Sequence, residues 1–276
     1  MPERLHEVTP ALLRDWPLPE AGNSKYDRGR ILVVGGAAKT PGAVQLTGLA
    51  ALRVGAGHLT MAVAASAAVA LAVAVPEAGV VGLPENDRGS VLGGDLGAIA
   101  GDLESADVVI VGPGLDDADQ TPILLRRLLP RLGGHARLVL DAYALSAIPE
   151  LTDALPAAGR MVLTPNGRES KLLLGRDPGS AELDVAEIAE RYAAVVSSQG
   201  LIADPAGALW RVSAGHDGLA TSGSGDVLAG ALGGLLGRGA PGAPSCVLGN
   251  VRARCGSRSA RCPRWSAWVS CAGNPR

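Results

Sequence analysis

Phenylalanine is missing from this 276-residue chain, and lysine nearly so: of 25 basic residues only Lys25, Lys39 and Lys171 are lysines. That gap marks an Ala/Gly/Arg-rich coding bias and carries no function. Residues 1–225 hold no cysteine, which excludes a disulfide framework there. The net charge is only −2, so neither nucleic acid nor an acidic membrane surface is expected as a partner. The four histidines, His6, His58, His135 and His216, show no metal-ligand spacing, and no metal-ligating residue is assigned. The opening residues MPERLHEVTPALLRDW lack the apolar segment of a signal peptide. The run LTMAVAASAAVALAVAV (59–75) is slightly short for a membrane span and reads as a buried strand plus a helix. These absences lead to the expectation of a soluble, cytoplasmic protein.

What is present is material for a core. The chain is 47% hydrophobic, enough to bury one large domain or two small ones. Apolar β-branched runs, RILVVGG (30–36), HLTMAV (58–63), DVVIVGPG (107–114), RLVLDA (137–142) and MVLTPN (161–166), each read as a strand ending in a turn. Helical Leu and Ala spacing fills 41–57, 121–132 and 167–175. Continuously apolar strands separated by helices indicate an α/β fold with a mostly parallel central sheet covered on both faces. In such sheets ligands gather at the carboxyl ends of the strands. VVSSQGLIADPAGALWRV (195–212) reads as a later hairpin with DPAG as its turn. With no repeat or low-complexity linker, a single domain is expected.

Motifs after the strands differ in weight. GGAAKTPG (35–42) resembles a phosphate loop, but Ala38 stands where a Walker loop has the Gly before its Lys. GPG (112–114) is as common in plain turns as in sites. GSGD (223–226) is more specific. Gly223 and Gly225 let backbone N–H groups converge where a helix begins, a place suited to a phosphate or a developing anion. Asp226, otherwise a helix cap, stands there as a base able to take a proton from a hydroxyl attacking phosphorus.

The segment GLATSGSGDVLAGALGGLLGRG (218–239) resembles the G-[ST]-G-D region of ribokinase-like enzymes, and its extended form that of the ADP/ATP-dependent NAD(P)H-hydrate dehydratases. KYDRGRILVVGGAAKTPGAVQLTGLAALRVGAGHLTMAV, DVVIVGPGL, LVLDAYAL and LTPNGRE follow the same order, so the resemblance spans roughly residues 8–240. It implies a ribokinase-like fold and attack of the hydrate hydroxyl on a nucleotide's terminal phosphoryl, then loss of phosphate. By position it places Ala43, Gly114, Asn166 and Asp226 at the hydrated NADH or NADPH, with Asp226 as the base and Gly225 at the nucleotide phosphate. It also implies Mg2+, ADP or ATP as phosphoryl donor, homo-oligomers, and an NAD(P)H-hydrate epimerase as partner. A small-molecule kinase of the same fold and an inactive remnant are the alternatives.

Three departures stand out. Asn166 replaces the family's usual His. The family's K-G-x-x-T nucleotide loop is here VSSQG (196–200), without the Lys, so its contacts would come from Ser197, Ser198, Gln199 and Gly200. Finally, residues 242–276 carry all four cysteines, six arginines and no acid. Without a C-x-x-C pair they make a poor zinc site; an Arg/Trp nucleic-acid tail is conceivable. A third reading is a shifted frame: codons for NVRARCG (250–256), read one nucleotide downstream, can spell the Tyr-x-His helix that the resemblance expects next. The sequence therefore suggests a domain over 1–240, an atypical tail over 241–276, and a GSGD helix without its packing neighbours.

Overall fold

The computed structural model describes residues 5–16, 18, 24–213 and 221–256, with side chains to Asn250. β1 (Leu5–Glu7) and α1 (Pro10–Arg14) precede β2 (Arg30–Val34), α2 (Pro41–Arg53), β3 (His58–Ala64), α3 (Ala65–Ala74) and β4 (Gly79–Leu83). The middle of the chain runs α4 (Ala100–Ser105), β5 (Val108–Val111), α5 (Gln120–Leu128), β6 (Arg137–Leu140), α6 (Tyr143–Ala147), β7 (Met161–Leu163) and α7 (Gly167–Leu174). It closes with α8 (Ala181–Arg191), β8 (Val195–Ser198), β9 (Leu201–Ala203), β10 (Leu209–Arg211), α9 (Ser224–Gly237) and α10 (Gly242–Gly256).

The strands form one sheet in the order β1-β10-β9-β8-β7-β6-β5-β2-β3-β4. Pairing is parallel except at β8–β9 and β9–β10. The turn over 204–207 lies between β9 and β10, where the Asp204 carboxylate accepts from the N–H groups of Ala206 and Ala208, each at 3.0 Å. Alternation along each strand divides the core. Leu32, Val34, Val109, Val111, Leu138 and Leu140 pack with residues of α4 to α8. Ile31, Val33, Val108, Ile110 and Val139 pack on the other face with residues of α2, α3, α9 and α10. Among the described residues no helix is long and apolar enough to cross a membrane, and residues 59–75 are β3 followed by α3 as expected. β1, β4, α1, α4, α6 and α8 were not anticipated.

The glycines of α9 follow from its closeness to α2. A Cβ on Gly230 would stand 2.0 Å from the Thr47 carbonyl oxygen, and one on Gly234 2.6 Å from that of Ala51. What looked like compositional bias is the contact surface of two helix backbones.

The segment expected as a tail over 241–276 begins with a helix, α10. α10 packs on α9, with Ser245, Cys246, Val247 and Asn250 buried and Gly249 close enough that a Cβ would lie 2.5 Å from Leu232. α9 therefore keeps a helical neighbour, and 242–250 belong to the core. Residues 257–276 lie outside the described residues.

Candidate active site

β2 lies between β3 and β5, so the chain builds outward through β4 and then crosses back to β5. This reversal opens a crevice at the carboxyl ends of β2 and β5, and the loops there interlock. Gly36 N–H donates to the Pro113 carbonyl and Ala37 N–H to that of Gly114, both at 2.8 Å. The Thr40 hydroxyl also donates to Gly114 O, at 2.7 Å. A Cβ on Gly114, whose φ is +71°, would lie 2.5 Å from Thr40 O and 3.0 Å from the Ala43 Cβ. Ala43 and Gly114 thus form one floor, which a bulkier side chain at either position would fill.

The GSGD turn joins this floor through α2. Gly223 caps α9 at φ +87°, and a Cβ there would meet Leu46 Cδ1 at 2.6 Å. Leu46 lies about one turn after Ala43. At Gly225 the situation is opposite: among the described residues nothing beyond its own helix lies within 4 Å of where its Cβ would stand, so no such contact calls for glycine. Asp226, half-buried in the first turn of α9, has its carboxyl pKa raised by burial, against the lowering that a helix N-terminus exerts. It holds a proton more tightly than an exposed carboxylate, which suits a base.

β7 brings the third group. Asn166 caps α7: its Oδ1 accepts from Arg168 N–H at 2.9 Å and Glu169 N–H at 3.1 Å. Glu169 Oε2 in turn accepts from Asn166 N–H at 2.8 Å, a reciprocal capping box. The Asn166 oxygen is therefore committed to the helix, and its amide is what remains for a ligand. The turn from β8 to β9 lies beside it. Ser198 donates its hydroxyl to Pro165 O at 2.7 Å, and Ser197 Oγ accepts from Asn250 Nδ2 at 2.7 Å. Both serines are buried and engaged with the scaffold. The turn itself is made by Gln199 at φ +51° and Gly200 at +91°, with the exposed Gln199 side chain beside Gly167.

One residue without an assigned role stands among these groups. Asp141 follows β6 directly and is buried; its Oδ1 accepts from the Thr164 hydroxyl at 2.6 Å. Burial first, and then the charges of Glu169 and Asp226, push its pKa up to about 7. The backbone just after it is strained, Ala142 having φ +50° and ψ −126°, a conformation that costs about 1–3 kcal/mol and gathers at functional sites. The sequence signal was an acid directly after the apolar run RLVL, at the end where ligands bind.

Away from this edge, a cavity of about 180 Å³ opens at the amino ends of β2 and β3, lined by Tyr26, Arg30, His58 and Asp102 among others. It contains none of the candidate groups and sits at the wrong end of a parallel sheet for the chemistry. Among the described residues no group of three or more His, Cys, Asp or Glu side chains could hold a metal ion.

Comparison with known proteins gives the same direction. Residues 31–264 match the family model described as NAD(P)H-hydrate dehydratase. The chain is 42% identical over 243 residues to the ADP-dependent (S)-NAD(P)H-hydrate dehydratase of Xanthomonas campestris, covering 86% of this chain and 82% of that protein. It is 37% identical over 254 residues to a bifunctional NAD(P)H-hydrate repair enzyme of Moorella thermoacetica, covering 89% of this chain and 48% of that protein. The chain thus spans about half the length of this bifunctional relative.

Solved structures share the fold. A protein of Streptococcus mutans superposes with TM-score 0.79 at 21% identity, over 97% of this chain and 99% of that one. The ADP/ATP-dependent NAD(P)H-hydrate dehydratase of Bacillus subtilis, co-crystallized with ATP and Mg2+, gives TM-score 0.72 at 23% identity, over 99% and 94%. The family model spans most of the chain, and a relative above 40% identity agrees with it over most of both proteins: this chain belongs to the NAD(P)H-hydrate dehydratase family.

Proposed function

We propose that this chain dehydrates hydrated NADH and NADPH with ADP as phosphoryl donor, releasing AMP and phosphate. The observation that carries the reading is the start of α9, where open space at Gly225 adjoins a half-buried acid with raised proton affinity. The nucleotide phosphates sit against the N–H groups at Gly225, and the hydrated ring lies on the floor of Ala43 and Gly114 with the Asn166 amide alongside. Asp226 takes the hydrate's hydroxyl proton as that oxygen bonds to the terminal phosphorus and AMP departs. The C–O bond then breaks, phosphate leaves with its electron pair, and a proton lost from the adjacent carbon restores the dihydropyridine.

Mg2+ fits the site as a passenger on the nucleotide, because Mg2+ takes much of its shell from phosphates and water and needs no protein cage. When bound it neutralises the charge on the transferred phosphoryl. The nucleotide turn of Ser197, Ser198, Gln199 and Gly200 contributes its backbone and Gln199, since both serine hydroxyls are engaged elsewhere.

The chain works in the cytoplasm and associates with a second copy of itself through α3. An NAD(P)H-hydrate epimerase is its partner in repair, as the name of a bifunctional repair relative suggests. The test of the reading is recovery of absorbance at the reduced-nicotinamide band on adding ADP and Mg2+ to hydrated NADH. Asp226→Asn should lose at least about a hundredfold in kcat. Accumulation of a stable phosphorylated product would mean a small-molecule kinase instead, and no turnover in the parent chain a remnant.

The frame of the last segment is a linked proposal. The buried residues of α10 before Asn250 pack on α9, so we place the change of frame after 241, with the shifted reading starting from Asn250. Sequencing the locus tests it: a downstream frame that stops early or encodes no Tyr-x-His helix removes the proposal.

A further inference from the structure

The segment between β4 and α4 begins as a small closed turn. Leu92 N–H donates to Pro84 O and Gly89 N–H to Asn86 O, both at 2.8 Å. The Asn86 side-chain oxygen accepts from Arg88 N–H and Ser90 N–H, each at 3.0 Å. The tip of this turn rests on the loop after β2. Ala38 N–H donates to Gly89 O at 2.8 Å, and a Cβ on Gly89 would stand 2.4 Å from the Ala38 Cβ. The neighbouring Ala37 donates in turn to Gly114 O, and Gly114 is half of the candidate floor.

Asp117, three residues after Gly114, completes the ring of contacts. Its side chain is buried, and its two oxygens serve different partners. Oδ1 accepts from Asp119 N–H at 3.0 Å and Gln120 N–H at 3.1 Å, tying down the entry to α5. Oδ2 reaches across to the turn, accepting from Arg88 Nη2 at 2.8 Å and Asn86 Nδ2 at 3.3 Å. A local side-chain turn of this kind needs one oxygen alone. The second makes a charge-assisted bond that seats the turn against the loops of the floor. Contacts thus run from Gly114 through Ala37 and Ala38 to Gly89, and back through Arg88 and Asn86 to Asp117.

We infer that Asp117 is a positioning residue for the hydrate floor, acting through the turn over 84–92 on the loop that carries Ala37, Ala38 and Thr40. The inference rests on the assignment of Ala43 and Gly114 to the hydrated ring. A floor displaced by a fraction of an ångström misaligns the attacking hydroxyl with the phosphorus and slows the reaction. The base of the segment stays anchored without Asp117. There Gly93 N–H donates to Gln120 Oε1 at 3.2 Å, and a Cβ on Gly93 would lie 2.2 Å from Leu124 N.

Asp117→Asn tests this. Its oxygen keeps the bonds to Asp119 and Gln120, while its new amide group faces the Asn86 and Arg88 donors, so the link across to the turn is what breaks. Adding Asn86→Asp reverses the pair: the carboxylate then comes from position 86, accepts from the amide at 117 and stays beside Arg88. Hydrogen exchange over residues 36–43, read by mass spectrometry, should quicken about fivefold in Asp117→Asn and return to the parent rate in the double variant. NADH binding, followed by its fluorescence, should weaken about fivefold and recover likewise. ADP binding should stay within about twofold throughout, because its contacts lie on α9 and the β8–β9 turn. The value of kcat/KM for hydrated NADH should follow NADH binding. Parent-like exchange and NADH binding in Asp117→Asn, or a loss that the double variant does not restore, overturns the inference. An equal loss of ADP affinity also overturns it, since that marks a general loosening. A parent chain that shows this binding pattern but turns nothing over sinks the dehydratase reading alone. One that binds no NADH removes the floor assignment and the inference with it.

Discussion

Asn250 on α10 donates from Nδ2 to Ser197 Oγ at 2.7 Å, tying the helix to the turn between β8 and β9. The same amide reaches Cys246 O at 2.9 Å. Both side chains are buried, so the bond fixes a turn of the candidate nucleotide site from behind. Asn250→Leu leaves the Ser197 hydroxyl without this donor and should cost roughly 1–3 kcal/mol in denaturant unfolding. It should also raise the nucleotide KM several-fold, because the turn loses its brace. A nucleotide KM equal to the parent's would detach α10 from the site.

Two glycines of α9 separate binding from packing. At Gly225 a methyl group meets nothing beyond its own helix within 4 Å among the described residues, and alanine is the better helix former by about 0.5–1 kcal/mol. Gly225→Ala should therefore hold or raise Tm while weakening nucleotide binding measured by calorimetry. At Gly230 a Cβ would press within 2.0 Å of Thr47 O, so Gly230→Ala should lower Tm by several degrees. If Gly225→Ala binds nucleotide as the parent does, no phosphate approaches that position.

Asp141 makes stability depend on pH. Its pKa is about 7 in the folded chain against an ordinary 3.8. Between those values the unfolded carboxyl is already ionised while the folded one keeps its proton, so stability falls as pH rises from about 4 to about 7. Asp141→Asn should relieve this loss by at most ~4 kcal/mol at pH 8, with no such gain near pH 3.5. Urea unfolding at the two pH values reads it, and equal differences at both would contradict the burial of an acid there.

Val69 and Val73 on α3 are 77% and 79% exposed, and no charged residue lies between Ala64 and Pro76. Apolar side chains on one uncharged helix face make a patch, and a two-fold axis through it sets no like charges against each other. Replacing both valines with Glu should abolish the proposed self-association, read as a monomer mass in light scattering, without loss of helical signal. A mass unaffected by the two substitutions would move the contact elsewhere.

The β-branched runs 30–36, 107–114 and 137–142 determined parallel buried strands by themselves, since continuous apolarity suits a strand covered on both faces. The short elements were not legible. β4, reading GVVGL, and α6, reading YALSA, are too brief for a period to emerge, and packing selects their conformation. The helix start at Ser224 with Asp226 in its first turn was readable because small residues in a local run precede an apolar helix pattern. Asp141 was not, because its burial and its bond to Thr164, 23 positions further along the sequence, are made only by the fold. Likewise, the resemblance placed Ser197 and Ser198 in the nucleotide loop by position, and the fold engages their hydroxyls with Asn250 and Pro165. Local pattern determined which residue types follow each strand. Only the tertiary structure decided which acids share a buried space and which hydroxyls are already engaged, because burial and charge coupling are set by distances that sequence separation does not contain.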